Sequence, residues 1–168
     1  MEYEVHVDAP PDAVWALVTD IELPTRFSPE LRRVRWLDDA TRPEVGARFE
    51  GYNRNPVLGE WRTVSRVTEL VAPTTFAWAV LDPYRQFGAD AADPTPLATW
   101  RFDLTPERGG VLLRLTARLG PGRSGLNLAI DRMPEREETI VAARLADLRN
   151  GMEQTLLGIK ALAERTAG

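Results

Sequence analysis

Cysteine and histidine, the readiest nucleophile and the readiest base, are almost missing from these 168 residues. Cysteine is absent and His6 is the only histidine. That removes thiolate nucleophiles, thiolate zinc sites, iron–sulfur ligation and disulfides. It also leaves no material for a Ser-His-Asp triad or a multi-histidine metal site. Glu2, Glu4, His6 and Asp8 share one face of an N-terminal alternating run, a spacing that superficially suggests a divalent metal. One strand cannot wrap an ion, so that face is read as solvated and no metal is expected. Asp38-Asp39 lies in a turn, where adjacent carboxylates rarely converge on one atom, and is read as solvated. Gly120-Pro121-Gly122-Arg123-Ser124-Gly125 matches G-x-G-x-x-G. The run before it closes an antiparallel series rather than opening a βαβ unit, so it is read as a loop, and no cofactor is expected.

What remains is chemistry of orientation. Asn53, Thr63 and Ser65 share alternating faces otherwise made of Phe49, Trp61, Val67, Trp78 and Trp100. A polar group on such a face needs a hydrogen-bond partner or costs free energy. One reading is a mostly apolar pocket with a few orienting donors and acceptors. The other is bonding to neighbouring backbone, a bulge or buried water. Trp36, Trp61, Trp78 and Trp100, four of the five tryptophans, fall on the same side. They can stack on an aromatic ligand or fill the space themselves. Arg144 sits inside an apolar helical arc between Val141 and Leu148. Its guanidinium could anchor a carboxylate, enolate or phenolate, or it could pair with a loop acid such as Asp90 or Asp93, or snorkel. Met152 and Thr155 lie deeper on that arc, and a mid-helix Thr often bonds its own backbone. Glu69 has inward parity at a strand end and Tyr84 lies in a loop, so no convincing inward acid, His or Tyr stands ready for proton transfer.

The elements that must position these groups follow from periodicity. Glu2 to Asp8 reads as a strand, and Pro10-Pro11 starts a short helix to Thr19. Pro24 and Pro29 leave room for at most one more helical turn. From Leu31 the period is two. Runs around Val34 and Trp36, Gly46 to Arg54, Trp61 to Val67, Phe76 to Val80, Trp100 to Leu104 and Val111 to Ala117 read as strands. Asn55 to Gly59 is a turn, Asp82 to Pro96 an irregular stretch and Gly109-Gly110 a hairpin signal. Gly120 to Met133 is a Gly-rich loop with one helical turn around Leu126 to Ile130. Pro134 opens the longest element, a helix of about 30 residues. Val141, Leu145, Leu148, Met152, Leu156, Ile159 and Ala163 form its apolar stripe. The stripe keeps phase through Gly151, so the helix is read as continuous. The fold class is α+β, an antiparallel sheet of about six to seven strands covered by one long C-terminal helix, in a single domain spanning 1–168.

Composition bounds the function classes. With 21 basic against 25 acidic residues the net charge is −4, and no basic run suggests a nucleic-acid partner. No apolar run approaches the roughly 18–20 residues of a membrane span. The N-terminus has no signal-peptide core, so a cytoplasmic location is expected.

This order, with its local motifs, resembles the START-like, Bet v 1-like superfamily, and within it the polyketide cyclase/dehydrase-like proteins. The resemblance rests on Val7-Asp8-Ala9-Pro10-Pro11-Asp12-Ala13-Val14-Trp15 and on Val45-Gly46-Ala47-Arg48-Phe49 with Gly51 and Asn53-Arg54. It continues through Trp61, Val67, Phe76-Ala77-Trp78 and Thr99-Trp100-Arg101-Phe102-Asp103-Leu104-Thr105-Pro106. It ends at Gly151-Met152-Glu153-Gln154-Thr155-Leu156 with Ile159-Lys160. It implies a helix-grip fold, with a curved sheet around the C-terminal helix, one or two short helices after the first strand, and a deep cavity for lipids, polyketides or other apolar molecules. It also implies that the Asp82–Pro96 and Gly120–Gly125 loops gate that cavity. Such folds serve enzymes, carriers and sensors alike. The residues expected to meet a small hydrophobic ligand are Asn53, Trp61, Thr63, Ser65, Trp78, Trp100, Arg144, Leu148, Met152 and Thr155. Binding is preferred over a cofactor-independent cyclase, aromatase or dehydratase, because enolate stabilisation has candidate donors but proton transfer has no evident group. A protein-interaction role with a closed core is the third reading, which an exposed apolar patch would support. A monomer or homodimer is expected.

Overall fold

The computed structural model describes residues 1–56, 58–88 and 95–166. Strand β1 (Glu2–Val7) leads into helix α1 (Pro11–Val18), which starts at a proline whose missing N–H costs nothing there. One 3-10 turn, Leu23–Arg26, follows. Then come β2 (Leu31–Trp36), β3 (Arg48–Asn55), β4 (Gly59–Val71), β5 (Thr75–Leu81), β6 (Ala98–Glu107) and β7 (Gly110–Leu119). Helix α2 (Gly125–Arg132) carries a capping box between Ser124 and Asn127. The chain ends in α3 (Glu137–Thr166), 30 residues without a break. Glu137 and Glu138 in its first turn and Arg165 in its last complement the helix dipole.

All seven strands form one antiparallel sheet in the order β1-β7-β6-β5-β4-β3-β2. It curls around α3 as a half-barrel, the helix-grip arrangement. Alternation decides the faces. Phe49, Val67, Phe76, Phe102, Leu113 and Leu115 point inward to the core, while Arg35, Arg48, Arg62 and Arg114 point out.

Two bulges interrupt this alternation, between Leu31 and Arg33 on β2 and between Val67 and Glu69 on β4. The second corrects the inward parity expected for Glu69. An extra residue flips the strand, and Glu69 pairs with Arg101 on the outer face.

The sheet closes tightly on only half of the helix. Met152, Thr155, Leu156, Ile159 and Ala163 are buried, the last three at 0–1% exposure against Val7, Val14, Val111 and Leu113. The stripe expected from Val141 to Leu148 is not buried, and Leu145 is 37% exposed. The segment between α1 and β2 crosses the helix on two glycines. The Phe27 ring lies on Gly158 and Pro29 on Gly151. No helix among the described residues is long and apolar enough to cross a membrane.

Candidate functional site

Where the sheet and α3 separate, a cavity of about 490 Å³ opens between the concave faces of β3–β6 and the N-terminal half of α3. Leu58 from the β3–β4 turn, Phe87 from the β5–β6 connection and Leu126, Leu128 and Ala129 from α2 complete its wall. All ten residues named from the sequence line it. Asn53 comes from β3, Trp61, Thr63 and Ser65 from β4, Trp78 from β5 and Trp100 from β6. Arg144, Leu148, Met152 and Thr155 come from α3.

The floor is aromatic. Trp78 stacks on Trp100 with centroids 6.4 Å apart and planes at 11°, and it also meets Phe76, Phe102 and Phe49 at 5.1, 5.9 and 6.3 Å. Trp36 leans on Phe49 at 5.6 Å and belongs to the core rather than the cavity wall. The tryptophans therefore pack one another along the sheet and leave space above them.

The polar groups on this wall are unusual in what they do not touch. Among the described residues, the side chains of Asn53, Thr63, Ser65 and Thr155 make no hydrogen bond to protein. Ser65 and Thr155 are nevertheless only 5% and 7% exposed. The backbone bond expected for a mid-helix Thr is not made by Thr155. No described buried side-chain N or O is sealed off without a partner, so these hydroxyls open into the cavity. A polar group so placed carries a desolvation cost unless something in the cavity bonds it.

Asp90 and Asp93, named as possible partners of Arg144, lie outside the described residues. Arg144 forms a two-pronged bond to Glu30, with Nη2 to Oε2 at 3.0 Å, and both side chains are largely buried at 18% and 16% exposure. Asn55 Nδ2 donates to the same carboxylate at 2.7 Å. Glu30 was missed from sequence because it sits in an aperiodic stretch between Pro29 and β2. Its only cue is the arginine that needs an acid. Pro29, resting on the helix at Gly151, sets its position. Asp20 and Asp147 add carboxylates near the mouth.

A second charged cluster lies behind the sheet. Glu50 of β3 is fully buried on the outer face, although alternation alone places it in solvent. Tyr52 donates to it at 2.6 Å, Arg35 Nη2 at 2.8 Å, and Tyr84 closes over it. Burial pushes this carboxyl up, but the bonds from Tyr52, Tyr84 and Arg35 and the Arg35 charge outweigh it. They bring the pKa from an ordinary 4.5 down to about 2.

Tyr84 belongs to a segment that covers the start of β4, where that strand runs past the end of β5. The Gln86 amide bonds both backbone groups of Arg62, at 2.6 and 3.0 Å, and Phe87 turns inward to the cavity. Two further groups of acids drew notice in the sequence. The expected solvated pair includes Asp38, which is exposed but doubly bonded by Arg48 at 2.7 and 3.0 Å. His6 faces Asp8 at 3.3 Å and Glu107 at 3.7 Å, and no group of three metal-ligating side chains occurs among the described residues.

Comparison with known proteins agrees with this architecture. Residues 1–162 match the family model described as polyketide cyclase/dehydrase and lipid transport. No curated protein matches. The solution structure of the polyketide cyclase-like protein Cgl2372 from Corynebacterium glutamicum is 28% identical, with a TM-score of 0.62 over 99% of this chain and 91% of that one. The Zhui aromatase/cyclase from Streptomyces sp. R1128 is 16% identical, with a TM-score of 0.68 over 100% and 94%. Ara h 8.0201 is 10% identical, with a TM-score of 0.60 over 97% and 95%. The last two are likenesses of fold. With the family model spanning all but the last few residues, and a seven-stranded sheet gripping one long helix over an apolar cavity, the chain belongs to the polyketide cyclase/dehydrase and lipid transport family.

Proposed function

We propose that the protein binds a small apolar molecule of polyketide, lipid or aromatic type in the cavity between sheet and α3. The observation that carries the reading is the set of polar side chains without protein partners, Asn53, Thr63, Ser65 and Thr155, on a wall of tryptophan, phenylalanine and leucine. A cavity of about 490 Å³ has the size of a small-molecule site. The Trp78–Trp100 pair offers a flat surface, and the hydroxyls and the Asn53 amide fix orientation. The family's own description, which includes lipid transport, supports the same reading.

Native mass spectrometry of freshly purified protein, followed by titration with N-phenyl-1-naphthylamine, tests it. A retained adduct or saturable fluorescence is the expected result. The double variant Ser65→Ala/Thr155→Val should raise or preserve the melting temperature, because unpartnered hydroxyls are removed. It should weaken a co-purified polar-substituted ligand by roughly tenfold, the loss of one or two hydrogen bonds. No adduct together with no saturable dye binding would overturn the reading.

An enzyme of cyclase or aromatase type is the second reading, and Glu30 is the observation in its favour. It is a carboxylate on the cavity wall, as proton transfer requires. Both its oxygens are already engaged by Arg144, and one also by Asn55, so binding remains the preferred reading. Glu30→Gln separates the two: an enzyme loses turnover and keeps affinity, whereas a binder has no turnover to lose.

A further inference from the structure

The concave face of β3 carries a glycine where alternation calls for a side chain. Gly51 stands between the inward residues Phe49 and Asn53, and it pairs with Val34 on β2 and Thr63 on β4. Its register is regular and its φ is not left-handed, so the ladder itself does not require glycine there. Glycine inside a strand weakens it, and it often marks a place where something approaches the backbone closely. A Cβ built on Gly51 would lie 3.4 Å from Thr63 Oγ1, 3.8 Å from Asn53 Nδ2 and 3.3 Å from Leu31 Cδ1. The missing side chain therefore leaves a notch in the cavity wall. Its floor is backbone, Leu31 flanks it, and a hydroxyl and an amide nitrogen converge on it. Asn53 and Thr63 are diagonal neighbours across the β3–β4 pair. Among the described residues, neither side chain is spent on a protein partner, and both open into the cavity.

Among the described residues, the charged groups of the cavity wall are paired or lie in solvent. Arg144 and Glu30 neutralise one another, while Asp20, Arg132 and Asp147 are exposed. An ionised group held inside would find no free counter-charge, and its burial would be costly. Resting on the cavity reading above, we infer that the ligand is uncharged within the cavity and carries a carbonyl oxygen that seats in the Gly51 notch, between the Asn53 amide and the Thr63 hydroxyl. Asn53 Nδ2 can only donate, and the Thr63 hydroxyl can donate beside it, so the atom they share must accept twice. A carbonyl oxygen does so through its two lone pairs, in the plane of its substituents. The notch thereby discriminates among apolar molecules that fill the rest of the cavity alike. A site arranged to hydrogen-bond a polar group rejects the analogue lacking it, because its own polar groups are then left unpaired.

The test displaces N-phenyl-1-naphthylamine with 2-acetylnaphthalene, with its hydrocarbon isostere 2-isopropenylnaphthalene and with 1-(2-naphthyl)ethanol. It reads the affinity ratio of ketone to hydrocarbon. Relative to wild type, that ratio should fall by roughly tenfold in Asn53→Leu/Thr63→Val, through the loss of two hydrogen bonds. Gly51→Ala keeps both polar groups but fills the notch, and should lower the ratio by roughly fivefold or more. The ratio of alcohol to hydrocarbon should fall less, by about threefold. Binding of the hydrocarbon reports that each variant still forms the cavity, and the single changes Asn53→Leu and Thr63→Val stand in for a double variant that does not. A ketone ratio within about twofold of wild type in all variants would overturn the notch and leave the cavity intact. A ratio that falls in the double variant but not in Gly51→Ala would place the carbonyl away from Gly51, and would overturn the assignment. An alcohol that loses as much as the ketone would overturn the carbonyl in favour of a hydroxyl. Failure of the dye and all the naphthalenes to bind the wild type would remove the cavity reading itself.

Discussion

The two halves of α3 carry the same apolar stripe and meet opposite surroundings. From Met152 to Ala163 the stripe is buried against β1, α1 and β7. From Val141 to Leu148 it stands over the cavity and against α2, with no residue buried. Periodicity is thus a statement about which face is apolar, not about what covers it. One half of the helix stabilises the fold, and the other supplies a wall for something else.

The largest expected effect separates these halves directly. Leu156→Ala, at 0% exposure, should cost about 2–5 kcal/mol, the transfer loss plus an unfilled cavity. Leu148→Ala should cost about 1 kcal/mol or less, because its side chain already borders empty space, yet it should weaken binding of an apolar dye. Denaturant melts and dye titrations read both quantities. Equal destabilisation by the two changes would mean that the open half is packed after all.

A second test concerns what holds the open half's strands from behind. Glu50 is ionised in the folded protein down to about pH 2, against an ordinary value of 4.5. Its folded pKa is depressed, so the stability it contributes is fully present above about 4.5 and is lost as pH falls toward 2. Glu50→Gln should cost about 1–3 kcal/mol near neutral pH, the range for a buried hydrogen-bonded group. It should also flatten the acid limb of the stability curve. Parallel curves for wild type and variant across that window would show that the cluster is not linked to folding.

Much of this was readable from the residues. Strict alternation placed Asn53, Thr63, Ser65, Trp78 and Trp100 on the concave wall, because a strand with one apolar face has only one way to turn. Helical phase placed Arg144, Leu148, Met152 and Thr155 beside them. The failures have equally local causes. Glu69 was misplaced because the bulge after Val67 adds a residue that alternation does not count. Glu30 was missed because no period runs through the proline-broken stretch before β2. Glu50 gave no signal because alternation puts it on the outer face and its cover, Tyr84, comes from an aperiodic segment more than 30 residues later.

The smaller effects come from one substitution made at two glycines on the same helix. At Gly158 an added Cβ would lie 2.5 Å from the Phe27 ring. Phe27 and the loop behind it must move, and overpacking of this kind costs about 1–3 kcal/mol. Replacing a mid-helix glycine by alanine returns up to about 1 kcal/mol of backbone entropy, so Gly158→Ala should be destabilising by about 1 kcal/mol net. At Gly151 the added Cβ would meet only the Pro29 ring, at 3.6 Å, an ordinary contact. There the entropy gain stands alone, and Gly151→Ala should raise stability by about 0.5–1 kcal/mol. Opposite signs in thermal melts would place the boundary between the packed and open halves of α3 between these two residues. Two gains of equal size would mean that Phe27 yields without cost and that the loop rests on the helix more loosely than its contacts imply.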